Sequence, residues 1–292
     1  MAKGSSRFGK YKERKVREAL RNPINVLKSL SEKSQEKSYK YQRLYRNLYN
    51  PEFYLLAYQN IYANKGSMTP GADGMTIDGI SMARINRIIE SMRNQSYQPK
   101  PARREYIKKK TGNKKRPLGI SSADDKLVQE VVRMILESIY EGSFSAKSHG
   151  FRPNKSCHTA LIQIRKTFTG AKWFVEGDIK ACFDSFDHAV LICILRKRIE
   201  DEAFLNLICK FLKAGYMEQW TFNKTYFGIP QGSGCSPILA NIYLNELDEF
   251  MQELKDKFDV GDCNRRKVSY EYESVRGRAK RLKKKYAKDW NK

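Results

Sequence analysis

Apolar positions are sparse along the first fifty residues, where Leu20, Ile24, Leu27 and Leu30 recur at loosely helical intervals among charged side chains. Two readings fit: one or two polar helices laid against a polyanion, or a solvated arm. From Pro51 the pattern turns globular. Residues 52–63 (EFYLLAYQNIYA) predict a helix with one apolar and aromatic face, and 64–74, with three glycines and a proline, predict a long loop. A helical period resumes over 82–93. The strongest amphipathic helix carries Leu127, Val128, Val131, Val132, Ile135, Leu136 and Ile139, with Asp124 and Asp125 placed to cap it. An apolar strand beginning at Trp173 and ending in Asp178 follows, then a helix from near Asp187 through Val190, Leu191, Ile194 and Leu195. Ser236-Pro237 opens another helix, apolar at Ile238, Leu239, Ile242 and Leu247. From Lys255 the chain is again charged, and 275–292 predict an exposed helix or a frayed end.

Charge narrows the class. Lys plus Arg (56) against Asp plus Glu (32) leaves +24 over 292 residues, a balance that self-repels unless a polyanion absorbs it. Nucleic acid is the leading partner and an anionic membrane surface the second; no run approaches the ~18 apolar residues of a membrane span, so none is expected. Residues 1–50 hold 14 basic residues against 4 Glu, with tyrosines interleaved at 11, 39, 41, 45 and 49. Cys157, Cys182, Cys193, Cys209, Cys235 and Cys263 form no CxxC pair and read as buried thiols of a reducing, cytoplasmic compartment. Three histidines are too few for a hydrolase cluster; His158 and His188 read as surface or capping residues.

Three segments carry candidate chemistry. Residues 100–116 hold nine Lys/Arg and one Glu, and their two extended pieces around Thr111-Gly112-Asn113 predict a basic β-hairpin suited to phosphates. In Asp178-Ile-Lys-Ala-Cys-Phe183-Asp184, a carboxylate closing a strand is half a site for Mg²⁺, which takes one or two carboxylates plus substrate phosphates; Asp187 reads better as a helix cap. In Gly228-Ile-Pro-Gln231-Gly232-Ser-Gly234-Cys-Ser-Pro237, a glycine-rich bend opening a helix offers N–H groups to an anion.

Together with Gly71-Ala-Asp-Gly74, Arg116-Pro-Leu-Gly-Ile120 and Ser148-His-Gly-Phe-Arg-Pro153, these segments resemble the reverse transcriptases encoded by group II introns, also called maturases. The matching pieces run from about residue 60 to 250. The resemblance implies an α+β, right-hand polymerase-like fold: a basic N-terminal extension over 1–50, fingers over 51–165, a partial palm over 166–250 and a charged tail or insertion over 251–292. It implies that Asp178 and the Ile179 carbonyl bind one of two Mg²⁺ ions. Phe183 would exclude a 2′-hydroxyl, Gln231 and Gly232 would lie at the incoming dNTP, and Lys110 and Arg116 would grip its triphosphate. Intron RNA, and an RNA template with a DNA primer, would meet Lys12, Arg14, Lys15, Arg43, Arg46, Lys108, Lys109, Lys114, Lys115 and Arg152. Ser148–Pro153 also reads as a pinned turn with Phe151 packed. The family's Tyr-x-Asp-Asp tetrapeptide is absent from these 292 residues, and the thumb is expected to be absent from them too. The expectation is therefore a fragment that binds RNA without polymerising and self-associates, as a homodimer, through uncovered sheet edge. The competing expectation is a non-catalytic splicing cofactor.

Overall fold

A computed structural model describes residues 21–64, 66–108, 115–229, 232–260 and 268–286. Two compact units divide after Glu246. In the first, helix α1 (Pro23–Ser34) and helix α2 (Pro51–Tyr62) begin alike: an asparagine side chain caps the helix and proline takes the first turn. Asn22 accepts from the Ile24 N–H at 2.9 Å and Asn50 from the Glu52 N–H at 3.0 Å. Helix α3 (Met82–Arg93) follows the expected period, capped by Ser81.

Helix α4 (Ala123–Tyr140) is the spine. The apolar residues expected on it, Leu127 to Ile139, are fully buried, with α1 and α2 packed against it. Its cap is Ser122, one turn before the expected aspartates: the Ser122 hydroxyl accepts from the Asp125 N–H at 3.2 Å, and Asp124 and Asp125 occupy the first turn. Helices α5 (Cys157–Thr167), α6 (His188–Arg196) and α7 (Glu202–Leu212) follow. Asp187 caps α6 as expected, its Oδ1 accepting from the Ala189 and Val190 N–H groups.

The sheet is mixed. Strand β1 (Ala102–Lys108) pairs antiparallel with β2 (Lys115–Ile120), from Arg103 opposite Ile120 to Lys108 opposite Lys115. It pairs parallel with β3 (Tyr216–Glu218), which pairs antiparallel with β4 (Thr221–Asn223), giving the order β2-β1-β3-β4. Pro117, which lacks an N–H, sits on edge strand β2 where such a residue is tolerated.

The core differs from expectation in three places. Tyr41 and Tyr45, read as interleaving with cations at a polyanion, are buried in the main apolar cluster with Leu44 and Leu48. Cys157 and Cys193 are exposed, and only Cys235 of the described cysteines is fully buried. Residues 171–179 form no strand, and Trp173 is 91% exposed. A strand needs an edge to satisfy its backbone groups, and none among the described residues lies against this stretch.

Helix α8 (Ser236–Phe258) starts as expected and continues into the second unit, which also holds α9 (Tyr270–Lys285), capped by Ser269. No helix among the described residues is long and apolar enough to cross a membrane.

Candidate nucleotide site and nucleic-acid interface

The two motifs meet. The Gly228 N–H donates to the Phe186 carbonyl at 2.8 Å and the Ile229 N–H to the Phe183 carbonyl at 2.7 Å. His188, read as a surface or capping residue, is the first residue of α6 and is buried here with Nε2 at 2.7 Å from the Gly228 carbonyl. Gly228 has φ +85°, and a Cβ there would come within 2.8 Å of the Phe183 carbonyl, so glycine is required. Phe183 is half-buried and packs edge-on against Phe186. Asp178 and Ile179 lie on the exposed stretch just before this junction.

The glycine-rich bend then runs along the free edge of β2. Gly232 has φ +107°, and a Cβ would lie 2.6 Å from the Gly119 carbonyl and 2.8 Å from the Leu118 side chain. Two positions beyond, the Gly234 N–H donates to Gln129 Oε1 at 3.0 Å, while Gln129 Nε2 donates to the Ser121 hydroxyl at 3.2 Å. Gln129 is 4% exposed and ties the bend to the end of β2. Cys235, next in the chain, is buried, and burial pushes its thiol up to about 11, so it stays protonated and inert. Arg116 lies on the exposed outer half of β2, opposite Ile107.

The 66–74 loop is braced from α4. Lys126 Nζ donates to the carbonyls of Gly66, Ser67 and Thr69 at 3.1, 3.0 and 2.7 Å, and burial lowers its pKa. Gly71 passes so close to Ser122 that a Cβ would meet its Cα at 2.7 Å. Asp73 accepts from Lys100 Nζ at 2.9 Å and from the Met75 N–H at 3.1 Å; partial burial pushes its pKa up, but these bonds leave it lowered. Asp125 behaves oppositely. Burial raises its pKa although the Tyr97 hydroxyl, the Ser122 hydroxyl and the Lys100 N–H all donate to it.

Gln129 and Lys126 escaped sequence reading, while Asp125 was read only as a helix cap and His188 as a surface or capping residue. The signal was there for Gln129: it lies four residues after Asp125 on α4, so the two share one side of the helix.

Arg43 and Arg46 are exposed and, with Arg21 and Lys33, line a concavity of about 360 Å³ beside the start of α1. Lys108 and Lys115 face each other, exposed, at the outer end of the hairpin. Arg152 is corrected: its guanidinium is held by Glu141 at 2.8 Å and by the Ser145 and Ser148 carbonyls, so it pins the turn and is not presented to RNA. Phe151 of the same turn has φ +53° and is 73% exposed, not packed. Lys12, Arg14, Lys15, Lys109, Lys110, Lys114 and Gln231 lie outside the described residues. Among the described residues no group of three or more His, Cys, Asp or Glu could hold a metal ion. Asp178 and the Ile179 carbonyl are hard oxygen donors of the kind Mg²⁺ takes, and fit part of its coordination shell.

The profile of the family described as reverse transcriptase (RNA-dependent DNA polymerase) matches residues 107–268. The chain is 51% identical over 264 residues to the group II intron-encoded protein LtrA of Lactococcus lactis subsp. cremoris, covering 90% of this chain and 44% of that protein. An uncharacterized 91 kDa protein in the cob intron of Schizosaccharomyces pombe is 46% identical over 255 residues, 85% of this chain and 31% of that protein. Among solved structures, a chain of a partial Cas6-RT-Cas1–Cas2 complex aligns with a TM-score of 0.48 at 22% identity, over 72% of this chain and 35% of that one. The chain belongs to the reverse transcriptase family. Within that family it groups with the proteins encoded by group II introns, and it spans less than half the length of the two curated relatives above.

Proposed function

We propose that the chain carries the nucleotide-handling region of an RNA-directed DNA polymerase of a group II intron, a protein that also binds its intron RNA to assist splicing and mobility. The observation that carries this reading is the junction of the Phe183–Phe186 turn with the Gly228–Gly234 bend, laid against the strand that bears Arg116. The hairpin and α2–α5, over 51–165, would form the fingers, residues 166–250 part of the palm, and α1 would belong to the basic N-terminal extension. The dNTP triphosphate would be gripped by Arg116 and Lys110, with Gln231 over the nucleotide and Gly232 admitting it to close backbone approach. Phe183 would close the sugar pocket against a 2′-hydroxyl.

Asp178 and the Ile179 carbonyl would hold Mg²⁺, one of a pair in the complete site, supplying charge stabilisation at the attacking 3′-oxygen and the leaving pyrophosphate. The remaining work falls to the chain's own cations, which neutralise and orient the triphosphate. RNA would be held by Arg43, Arg46, Lys108 and Lys115, together with the basic residues outside the described set.

Asp178→Asn in the full-length protein tests the assignment. RNA-templated DNA synthesis is expected to be lost while RNA binding persists; synthesis at near wild-type rate would remove Asp178 from the role.

A further inference from the structure

Residues directly opposite on paired strands share a face of the sheet, so the register sorts side chains into two sets. Arg116 and Leu118 of β2 share a face with Arg103 of β1, Leu118 being the side chain that touches the Gly232 bend. The other face carries Arg104, Tyr106 and Lys108 of β1, Lys115 of β2, and Tyr216 and Glu218 of β3. Its side-chain contacts agree: the Arg104 guanidinium lies 3.4 Å from the centroid of the Tyr216 ring, and the Tyr106 hydroxyl donates to Glu218 at 2.6 Å. Residues 224–229 cross this face and enclose a cavity of about 300 Å³, whose walls include Arg104, Tyr216, Lys224, Tyr226 and Phe227.

A second observation comes from the β3–β4 turn. Gln219 and Trp220 both adopt left-handed backbone, φ +48° and +64°, and the Trp220 side chain is 97% exposed. A bulky residue at positive φ is strained, and leaving an indole in water forfeits the gain of burial, so the folded chain itself gives no reason for tryptophan here. Tyr226 and Phe227 are also largely exposed. The surrounding charge is positive, from Arg104, Lys108, Lys115 and Lys224. Of the carboxylates nearby, Glu218 is engaged by Tyr106 and Asp184 lies in the cavity wall. An open sheet face with stacked Arg on Tyr, free aromatic rings and interspersed cations is suited to bases splayed from a single strand.

We propose that this face, opposite the one touching the Gly232 bend, is a platform for single-stranded RNA. Bases stack on Trp220, Tyr226 and Phe227, and phosphates lie along Arg104 and Lys224. The proposal rests on the RNA-binding part of the function above and names a surface for it.

The test is titration of the full-length protein with a labelled, unstructured oligoribonucleotide at several salt concentrations. Trp220→Ala and Tyr226→Ala are each expected to weaken binding by about tenfold. Trp220→Phe, which keeps a stacking ring, should retain most of the affinity while losing the tryptophan quenching that accompanies binding to the wild type. Lys224→Ala should lower the slope of log affinity against log salt by about 0.7. The KM for dNTP should stay unchanged in Trp220→Ala and Trp220→Phe, because Trp220 lies outside the cavity wall shared with Asp184, Gly228 and Ile229. Wild-type affinity in Trp220→Ala, Tyr226→Ala and Lys224→Ala, with steep salt dependence in the wild type, overturns the platform alone. A wild type that binds no RNA overturns the platform and the RNA-binding reading together.

Discussion

Gln129 shows how one buried side chain can govern a site it does not line. Its amide spans two chain segments, accepting from Gly234 and donating to Ser121. Gln129→Met keeps the volume and removes both bonds, leaving the part-buried Gly234 N–H and the buried Ser121 hydroxyl without this partner, a loss of about 1 kcal/mol or more. In the full-length protein we expect the KM for dNTP to rise about tenfold, by an equivalent displacement of the bend, while a thermal melt shows the chain still folded; an unchanged KM would mean the bend holds itself. Asp73 gives a pH-dependent counterpart. Its folded pKa is lowered, so the stability it lends is complete above the ordinary carboxylate value near 3.8 and disappears as pH falls through the lowered folded value. Urea melts of wild type and Asp73→Asn should differ by about 1 kcal/mol at neutral pH and converge towards pH 3, since the pair with Lys100 is half-exposed and partly screened. Asp73 was legible only as part of the Gly71-Ala-Asp-Gly74 motif, with no role attached, and Gln129, a glutamine on a helix, has an ordinary solvated reading.

At the scale of elements, the glycine-rich bend and β2 act as one piece. Gly232→Ala would put a methyl group 2.6 Å from the Gly119 carbonyl at a φ that alanine rarely adopts, so the bend must move off the strand. DNA synthesis by the full-length protein should fall at least about tenfold, with circular dichroism unchanged because the core helices are elsewhere; near wild-type synthesis would separate the bend from the nucleotide. Helices α5 and α7 were not anticipated, whereas α2, α3, α4, α6 and the start of α8 were readable beforehand, and the Leu127–Ile139 stripe lies where its period put it. The Asp178 strand was not. Trp173 to Val175 are apolar and β-prone, but a strand is completed by its neighbours, and the stretch is irregular and exposed without one.

For the molecule as a whole, two cations illustrate opposite fates of a +24 charge. Arg198 is buried without a carboxylate, donating to the carbonyls of Ile139 at 3.1 Å and Ser34 at 2.9 Å, near the C-terminal ends of α4 and α1, between the rings of Tyr41 and Tyr140. Arg198→Met should destabilise the fold by about 3 kcal/mol, because several buried carbonyls lose their donor; a melting temperature within a degree or two of wild type would contradict that. Among the described residues most of the other cations are exposed, and RNA affinity should therefore fall steeply with salt through counterion release. A flat salt profile in a filter-binding assay would undercut phosphate contact as its source.

The order of residues was enough to settle several of the helices, the paired strands of the hairpin and the family, and its charge balance pointed to a polyanion. Charge balance, apolar period and contiguous motifs are properties of neighbours along the chain, and they survive without coordinates. What needed the tertiary structure was every fact about residues far apart: that Phe183 meets Ile229, that Gln129 braces Gly234, that Arg152 is spent on a turn, and that Tyr41 is core. Those outcomes depend on which polar groups find partners when water is excluded, and that is decided only when the helices and the sheet close on one another.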